Sequence, residues 1–240
     1  MTLLLRNFFV ALALVSTTFV SLRAEDKPAV DTVVPVPRDG GWMKRHESMN
    51  ERVKKGNVDL LMIGDSITQG WEGAGKKVWE EFYTKRNAVN LGIGGDRTQH
   101  VLWRLENGNI EGIKPKLAVI MIGTNNSGGN KSEDIAAGVE AIVKKLRTSL
   151  PETKILILGI FPRGATAEDR QRKVNDGANA IIAKLADDKD VFFQDIGKAF
   201  LAEDGTLSKE IMPDLLHLNE KSYRIWAEQI EPNVKKLMGE

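Results

Sequence analysis

From Asp59 onward the chain alternates short, almost uninterrupted apolar runs with longer stretches in which apolar residues recur every three or four positions. The runs occupy residues 59–63, 88–91, 117–122, 155–158 and 191–193. Near-continuous apolarity of strand length suits strands covered on both faces, the pattern of a parallel sheet wrapped by helices. Between the runs, Ile135, Val139, Ile142, Val143 and Leu146 fall on one helical stripe behind an expected cap at Ser132. Glu133 and Asp134 stand where a helix start favours acidic side chains. A second helix carries Val174, Ala178, Ile181, Ile182 and Leu185. The last runs from about Asn219 with Tyr223, Trp226, Ile230 and Leu237 on its apolar stripe, and Pro232 is expected to kink or interrupt it. There is no internal repeat. The fold class expected is α/β.

The N-terminal stretch follows a different pattern. Arg6 precedes an apolar segment from Phe8 to Val20, broken only by Ser16, Thr17 and Thr18, and Ala24 is followed by Glu25 and Asp26. This reads as a signal peptide over residues 1–24, with export to the periplasm or the extracellular space. Leu22 and Arg23 make a poor cleavage site, so a retained anchor is the alternative, although the segment is shorter than the roughly 18 apolar residues at which a membrane helix becomes feasible. Pro28, Pro35, Pro37 and the pair Gly40-Gly41 mark residues 25–41 as a linker, which leaves 42–240 as one domain.

Composition narrows the chemistry. With 42% hydrophobic and 28% charged residues, the chain has the profile of an ordinary folded domain. Lys and Arg number 34 against 33 Asp and Glu, and no dense basic run occurs, so no nucleic-acid partner is expected. The absence of cysteine excludes a thiol nucleophile, disulfides and thiolate metal sites.

In a parallel sheet, ligands bind beyond the carboxyl ends of the strands, so the junctions there are the places to look. Gly64-Asp65-Ser66 follows the first strand and precedes Ile67-Thr68-Gln69, which sets Ser66 at or near a helix N-terminus. Backbone N–H groups and the helix dipole there would favour the oxyanion of an acyl-transfer intermediate. In isolation a serine after aspartate is also a helix cap. Just ahead of the last helix, Asp214 and His217 stand three positions apart. A serine hydroxyl becomes a useful nucleophile when an imidazole oriented by a carboxylate takes its proton. His46 precedes the first strand and His100 sits in a helix with Val101, Leu102 and Leu105; of the three histidines, only His217 has a nearby acid in a segment that can return to the strand ends. The next junctions are Gly92-Ile93-Gly94-Gly95-Asp96 and Gly123-Thr124-Asn125-Asn126. Gly95 can offer a backbone N–H and Asn125 a side-chain amide to an oxyanion, although either turn alone would be ordinary turn chemistry. Asp65 reads as a brace that accepts from backbone N–H groups. Asp65, Asp96 and Asp214 are too scattered to form a local oxygen cage, so no metal is expected.

Taken together, Gly64-Asp65-Ser66, Gly95, Gly123-Thr124-Asn125 and Asp214-x-x-His217 resemble, in order and spacing, the four sequence blocks of SGNH (GDSL-like) hydrolases over about residues 59–217. Within that family, the stretch from Asn90 to Leu105 and Leu158-Gly159-Ile160-Phe161-Pro162-Arg163-Gly164 are similar to the catalytic alpha subunits of intracellular platelet-activating-factor acetylhydrolase. The resemblance implies a flavodoxin-like three-layer α/β/α sandwich on a five-stranded parallel sheet. It implies Ser66 as nucleophile, His217 as base and Asp214 as its orienter. The oxyanion hole would come from the Ser66 N–H, the Gly95 N–H and the Asn125 side chain, with no metal or organic cofactor.

The activity so implied is hydrolysis of short, acetyl-type carboxylic esters through an acyl-enzyme, on acetylated carbohydrates or phospholipids. An acyl thioesterase or lysophospholipase would use the same chemistry. A noncatalytic carbohydrate-binding module is the reading from another class, and the intact catalytic set argues against it. The related alpha subunits dimerise, so a homo-oligomer is an expectation, whereas their WD-repeat partner is not expected for an exported chain. Trp71, just after the nucleophile block, is either a wall of the acyl site or core packing. No long apolar insertion separates the blocks, so nothing offers a groove in which each buried methylene would contribute about 0.8 kcal/mol.

Overall fold

The computed structural model of the protein describes residues 30–240. The expected signal peptide and the first residues of the expected linker lie outside the described residues. The apolar runs form strands β1 (Leu60–Gly64), β2 (Ala88–Gly92), β3 (Leu117–Met121), β4 (Lys154–Leu158) and β5 (Val191–Gln194). All pair in parallel, in the order β2-β1-β3-β4-β5, which is the flavodoxin-like order. Parallel neighbours need crossover connections. Helices α2 (Ser66–Gln69) and α3 (Lys76–Phe82) join β1 to β2, and α4 (Thr98–Glu106) joins β2 to β3. Then α5 (Ser132–Ser149) and α6 (Arg170–Ile182) complete the crossovers, while α1 (Gly41–Lys54) precedes the sheet and α7 (Glu220–Met238) follows it.

Because successive strand side chains point to opposite faces, each strand feeds two cores. Leu61, Ile63, Leu91, Ile120 and Ile157 pack with Met49 of α1, Leu105 of α4, Ile142 of α5 and Ala178 of α6. Leu60, Met62, Val119, Leu156 and Leu158 pack with Val78 of α3 and with Tyr223, Trp226 and Ile230 of α7. These two cores on one sheet make the expected three layers, and they explain why the strands read as unbroken apolar runs. Among the described residues no helix is long and apolar enough to cross a membrane.

Four local expectations are corrected or resolved. The stretch read as a linker is tied to the domain from its 3-10 turn Asp31–Val33 onward. Thr32 is fully buried; its Oγ1 donates to the Asp134 carbonyl at 2.6 Å and its carbonyl accepts from Thr98 Oγ1 at 2.9 Å. Its prolines report extended backbone, and buried Thr32, with the Val36 N–H on the Gln99 carbonyl, supplies anchorage that composition does not show. Ser132 is the first residue of α5 and Lys131 its cap; Ser132 Oγ donates to the Val174 carbonyl instead. Helix α7 continues through Pro232. Ile230 and Val234 are fully buried on either side of it, and that burial offsets the roughly 3 kcal/mol that an internal proline costs.

Trp71 belongs to the core. It is 1% exposed, and its ring lies 4.5 Å from that of Tyr223 and 4.9 Å from that of Trp226. Trp71→Ala should therefore lower unfolding free energy by about 3–5 kcal/mol in a urea titration and leave acyl-chain preference unchanged. A changed preference at unaltered stability would return Trp71 to the substrate site.

Candidate active site

Strand β1 lies between β2 and β3, and the chain leaves it toward β2 on one side before crossing back to β3 on the other. That reversal opens a crevice at the carboxyl end of β1, and Ser66 is there. Asp65 caps α2, its Oδ1 accepting from the Ile67 N–H at 2.9 Å, so the brace expected of Asp65 is present and the capping role does not fall on Ser66. Helix α2 is four residues long, too short for a substantial dipole. Individual N–H groups are the electrostatic resource at this position. Gly92 lets the turn approach closely: a Cβ there would lie 2.3 Å from the Gln69 nitrogen.

Ser66 Oγ stands 2.9 Å from His217 Nε2, and His217 Nδ1 stands 2.6 Å from Asp214 Oδ2. The carboxylate fixes the proton on Nδ1 and leaves the Nε2 lone pair facing the serine. Asp214 Oδ1 also accepts from the N–H groups of Leu216 and His217, at 3.0 and 2.7 Å. This tight return requires Leu215 to adopt φ +62°, a costly conformation for a leucine. It is held there by its N–H on the Met212 carbonyl and by the Gly164 N–H on its own carbonyl. Burial by itself would raise the Asp214 pKa, but the bonds from the His217 ring and backbone, the imidazole charge and the Leu216 N–H together hold it below the ordinary value. The His217 and Asp214 side chains are 45% and 57% exposed, so this side of the relay faces solvent.

The Ser66 and Gly95 N–H groups donate to no acceptor among the described residues. Gly95 turns at φ +75°. Asn125 Nδ2 donates one proton to the Asp96 carbonyl at 2.8 Å, which leaves the second amide N–H for a ligand. The structure thus brings Ser66, Asp214 and His217 into one relay and sets Gly95 and Asn125 on the two junctions beside it.

Several supporting residues have no obvious sequence signal. Gln69 Oε1 accepts from the Gly94 N–H at 2.7 Å. Asp96, fully buried, accepts from Trp42 Nε1 at 2.6 Å and from Arg104 Nε at 2.9 Å. Its burial beside a glycine turn could have suggested an ion pair, but nothing in sequence singles out Trp42. The other histidines serve elsewhere. His46 stacks on Trp42 with rings 5.8 Å apart. His100 Nδ1 accepts from the Arg97 N–H, and burial, helped by Arg38, Arg97 and Arg104, pushes its pKa down to about 4.

Residues 62–225 match the GDSL-like Lipase/Acylhydrolase family. The chain belongs to this family. It is 37% identical over 205 residues to platelet-activating factor acetylhydrolase IB subunit alpha2 of Gallus gallus, covering 84% of this chain and 87% of that protein. Identity to the alpha1 subunit of Homo sapiens is 37% over 207 residues, with shares of 84% and 87%. A carbohydrate acetylesterase family member from Sinorhizobium meliloti has the same fold, with a TM-score of 0.61 and 19% identity over 76% of this chain and 100% of that one. As a GDSL/SGNH hydrolase, the protein is a carboxylic ester hydrolase.

Asp65 gives this site a stability signature. Its Oδ2 is buried without a partner among the described residues, and burial raises its pKa from 3.8 to about 7 against the opposing Ile67 N–H bond. The folded state therefore holds a proton that the unfolded chain releases near 3.8. Stability from this group is complete below that pH and is lost as pH rises toward 7. Asp65→Asn keeps an acceptor for Ile67 and removes the charge, so its melting temperature relative to the parent should rise progressively between about pH 4 and 8. A difference independent of pH would contradict the assignment.

Proposed function

We propose that the protein hydrolyses short acyl esters, acetyl esters above all, through an acyl-enzyme on Ser66. The observation that carries this reading is the Ser66–His217–Asp214 relay, at 2.9 and 2.6 Å, beside two N–H groups without acceptors among the described residues. His217 Nε2 takes the Ser66 proton as Oγ attacks the carbonyl carbon. The carbonyl oxygen, now an oxyanion, is met by the N–H groups of Ser66 and Gly95 and the second amide N–H of Asn125. Collapse expels the alcohol, which leaves with the proton from His217. Water, deprotonated by the same imidazole, then releases the acid and restores Ser66. Asp214 orients the ring and stabilises the imidazolium.

The surface supports a short acyl group. Among the described residues the exposed large hydrophobics are Val30, Val34 and Val36. Among the described residues no run of exposed large hydrophobics is offered to a long acyl chain, whose every methylene needs burial worth about 0.8 kcal/mol. A cavity of about 560 Å³ between α1 and α3 is lined by Arg45, Glu72, Lys76 and Asn90 among others, and includes none of the relay residues. On the alcohol side, the half-exposed His217 and Asp214 suit a bulky leaving group. The names of the relatives support an acetylated carbohydrate or a phospholipid as its source. The apolar segment before Ala24 supports export with removal of residues 1–24; recovery of the chain from membranes with Met1 intact would overturn that part.

A fluorophosphonate probe should label Ser66, and Ser66→Ala should stay folded, remain unlabelled and lose at least about 10⁴-fold in kcat. Adduct mapping to another serine would remove Ser66 from this role. Across nitrophenyl esters, kcat/KM should be highest for acetate and fall steeply beyond roughly four carbons. A higher value for octanoate would overturn the short-acyl assignment. Acetylated xylo-oligosaccharides and 2-acetyl phospholipids assayed side by side would identify the alcohol.

A further inference from the structure

Arg38 comes from the stretch that composition reads as a linker, yet its guanidinium covers the Gly94-Gly95 turn. Nη1 donates to the Gly94 carbonyl at 2.8 Å and stands 3.4 Å from Asp96 Oδ1. A Cβ built on Gly95 would lie 3.2 Å from Nη1, 3.3 Å from Nη2 and 3.6 Å from Cζ, so the charged group is in contact range of Gly95 itself. The backbone delivering it is fixed by buried Thr32 and by the Val36 N–H on the Gln99 carbonyl at 3.2 Å.

The Gly94 carbonyl and the Gly95 N–H are the two ends of one peptide group. A charge-assisted bond to the carbonyl draws electron density toward its oxygen and makes the N–H at the other end a stronger donor. It also fixes the peptide plane, and with it the direction in which that N–H points. Asp96 is matched chiefly by Arg104 at 2.9 Å, whereas the Arg38 side chain is 38% exposed and its Nε and Nη2 meet no acceptor among the described residues. The Arg38 charge therefore remains available to the space in front of Gly95.

We infer that Arg38 is a positioning residue of the oxyanion hole, acting through the Gly94–Gly95 peptide. This rests on the reading of the Gly95 N–H as an oxyanion donor. Its influence is greatest on the negative charge that develops during attack, so it acts on the transition state more than on the bound ester. An N-terminal segment outside the four sequence blocks thereby becomes part of the catalytic apparatus.

The test compares Arg38→Gln, Arg38→Ala and Arg38→Lys with the parent on nitrophenyl acetate, with Ser66→Ala alongside and a melting curve for each. Removing an oxyanion donor outright costs about 10²–10³ in rate, so loss of the group behind one donor should lower kcat by roughly 10- to 30-fold. KM should stay within about twofold, because uniform binding is untouched. Labelling of Ser66 by a fluorophosphonate should slow by the same factor as kcat, melting temperatures should hold, and Arg38→Lys should recover most of the loss. The inference is overturned if kcat is unchanged in the Gln and Ala variants, if the loss lies in KM alone, or if Arg38→Lys falls as far as Ala with a lowered melting temperature. A loss of much less than about 10⁴-fold in kcat for Ser66→Ala would instead unseat the underlying acyl-enzyme reading, so the two failures are distinguishable.

Discussion

The buried Asp96–Arg104 pair is the interaction on which the geometry of this site depends. Both side chains are fully excluded from solvent and meet at 2.9 Å. Burying two charges costs several kcal/mol per ion unless each finds further partners. Asp96 finds Trp42 of α1, and Arg104 donates to Asn109 Oδ1 at 2.7 Å. The backbone of the same aspartate then does the aligning. Its N–H donates to the Ile93 carbonyl, its own carbonyl receives the Asn125 amide, and Gly95 is its immediate neighbour. One matched charge thus locks the ends of β2 and β3 against each other.

The other half of the site is built differently. Ser66 rides on a strand buried on both faces, whereas Asp214 and His217 hang from an exposed turn ahead of α7. That turn is ordered by local bonds to the Asp214 carboxylate and by the left-handed Leu215 at φ +62°. Backbone strain of this kind persists where the surroundings over-determine it, and here the Gly164 N–H and the Met212 carbonyl do so. On the proposed reading, a nucleophile and donor set at the strand ends is met by a base on a short, internally braced loop. The His217 and Asp214 side chains stay open to solvent, where the proposed reading puts the alcohol side of the ester.

Much of this was legible in the chain because doubly buried strands must be apolar throughout, and a crossover must leave each strand by its carboxyl end. Those two constraints pointed to Ser66, Gly95 and Asn125 as junction residues before any contact was known, and a three-residue spacing tied Asp214 to His217. Residues that act across long sequence separations were not legible. Trp42 reaches Asp96 across 54 positions and Arg38 reaches Gly94 across 56, and no local pattern marks either. Composition misread residues 30–41 for a related reason. Proline content reports backbone shape, while the docking of that segment depends on buried Thr32, the Val36 N–H and the Arg38 side chain. Pro232 and Trp71 were decided by packing that local pattern does not report: burial of Ile230 and Val234 on either side of the proline in one case, and the aromatic rings of α7 in the other.

The central claim is that Ser66 attacks while the N–H groups of Ser66, Gly95 and Asn125 converge on one developing oxyanion. A crystal structure of the enzyme inactivated by a small alkyl fluorophosphonate tests it directly, because the phosphonyl oxygen occupies the place of that oxyanion. The account predicts a bond from Ser66 Oγ to phosphorus, with the phosphonyl oxygen about 2.7–3.1 Å from all three nitrogens and His217 Nε2 turned toward the leaving-group side. An adduct whose phosphonyl oxygen faces solvent, away from Gly95 and Asn125, would contradict it.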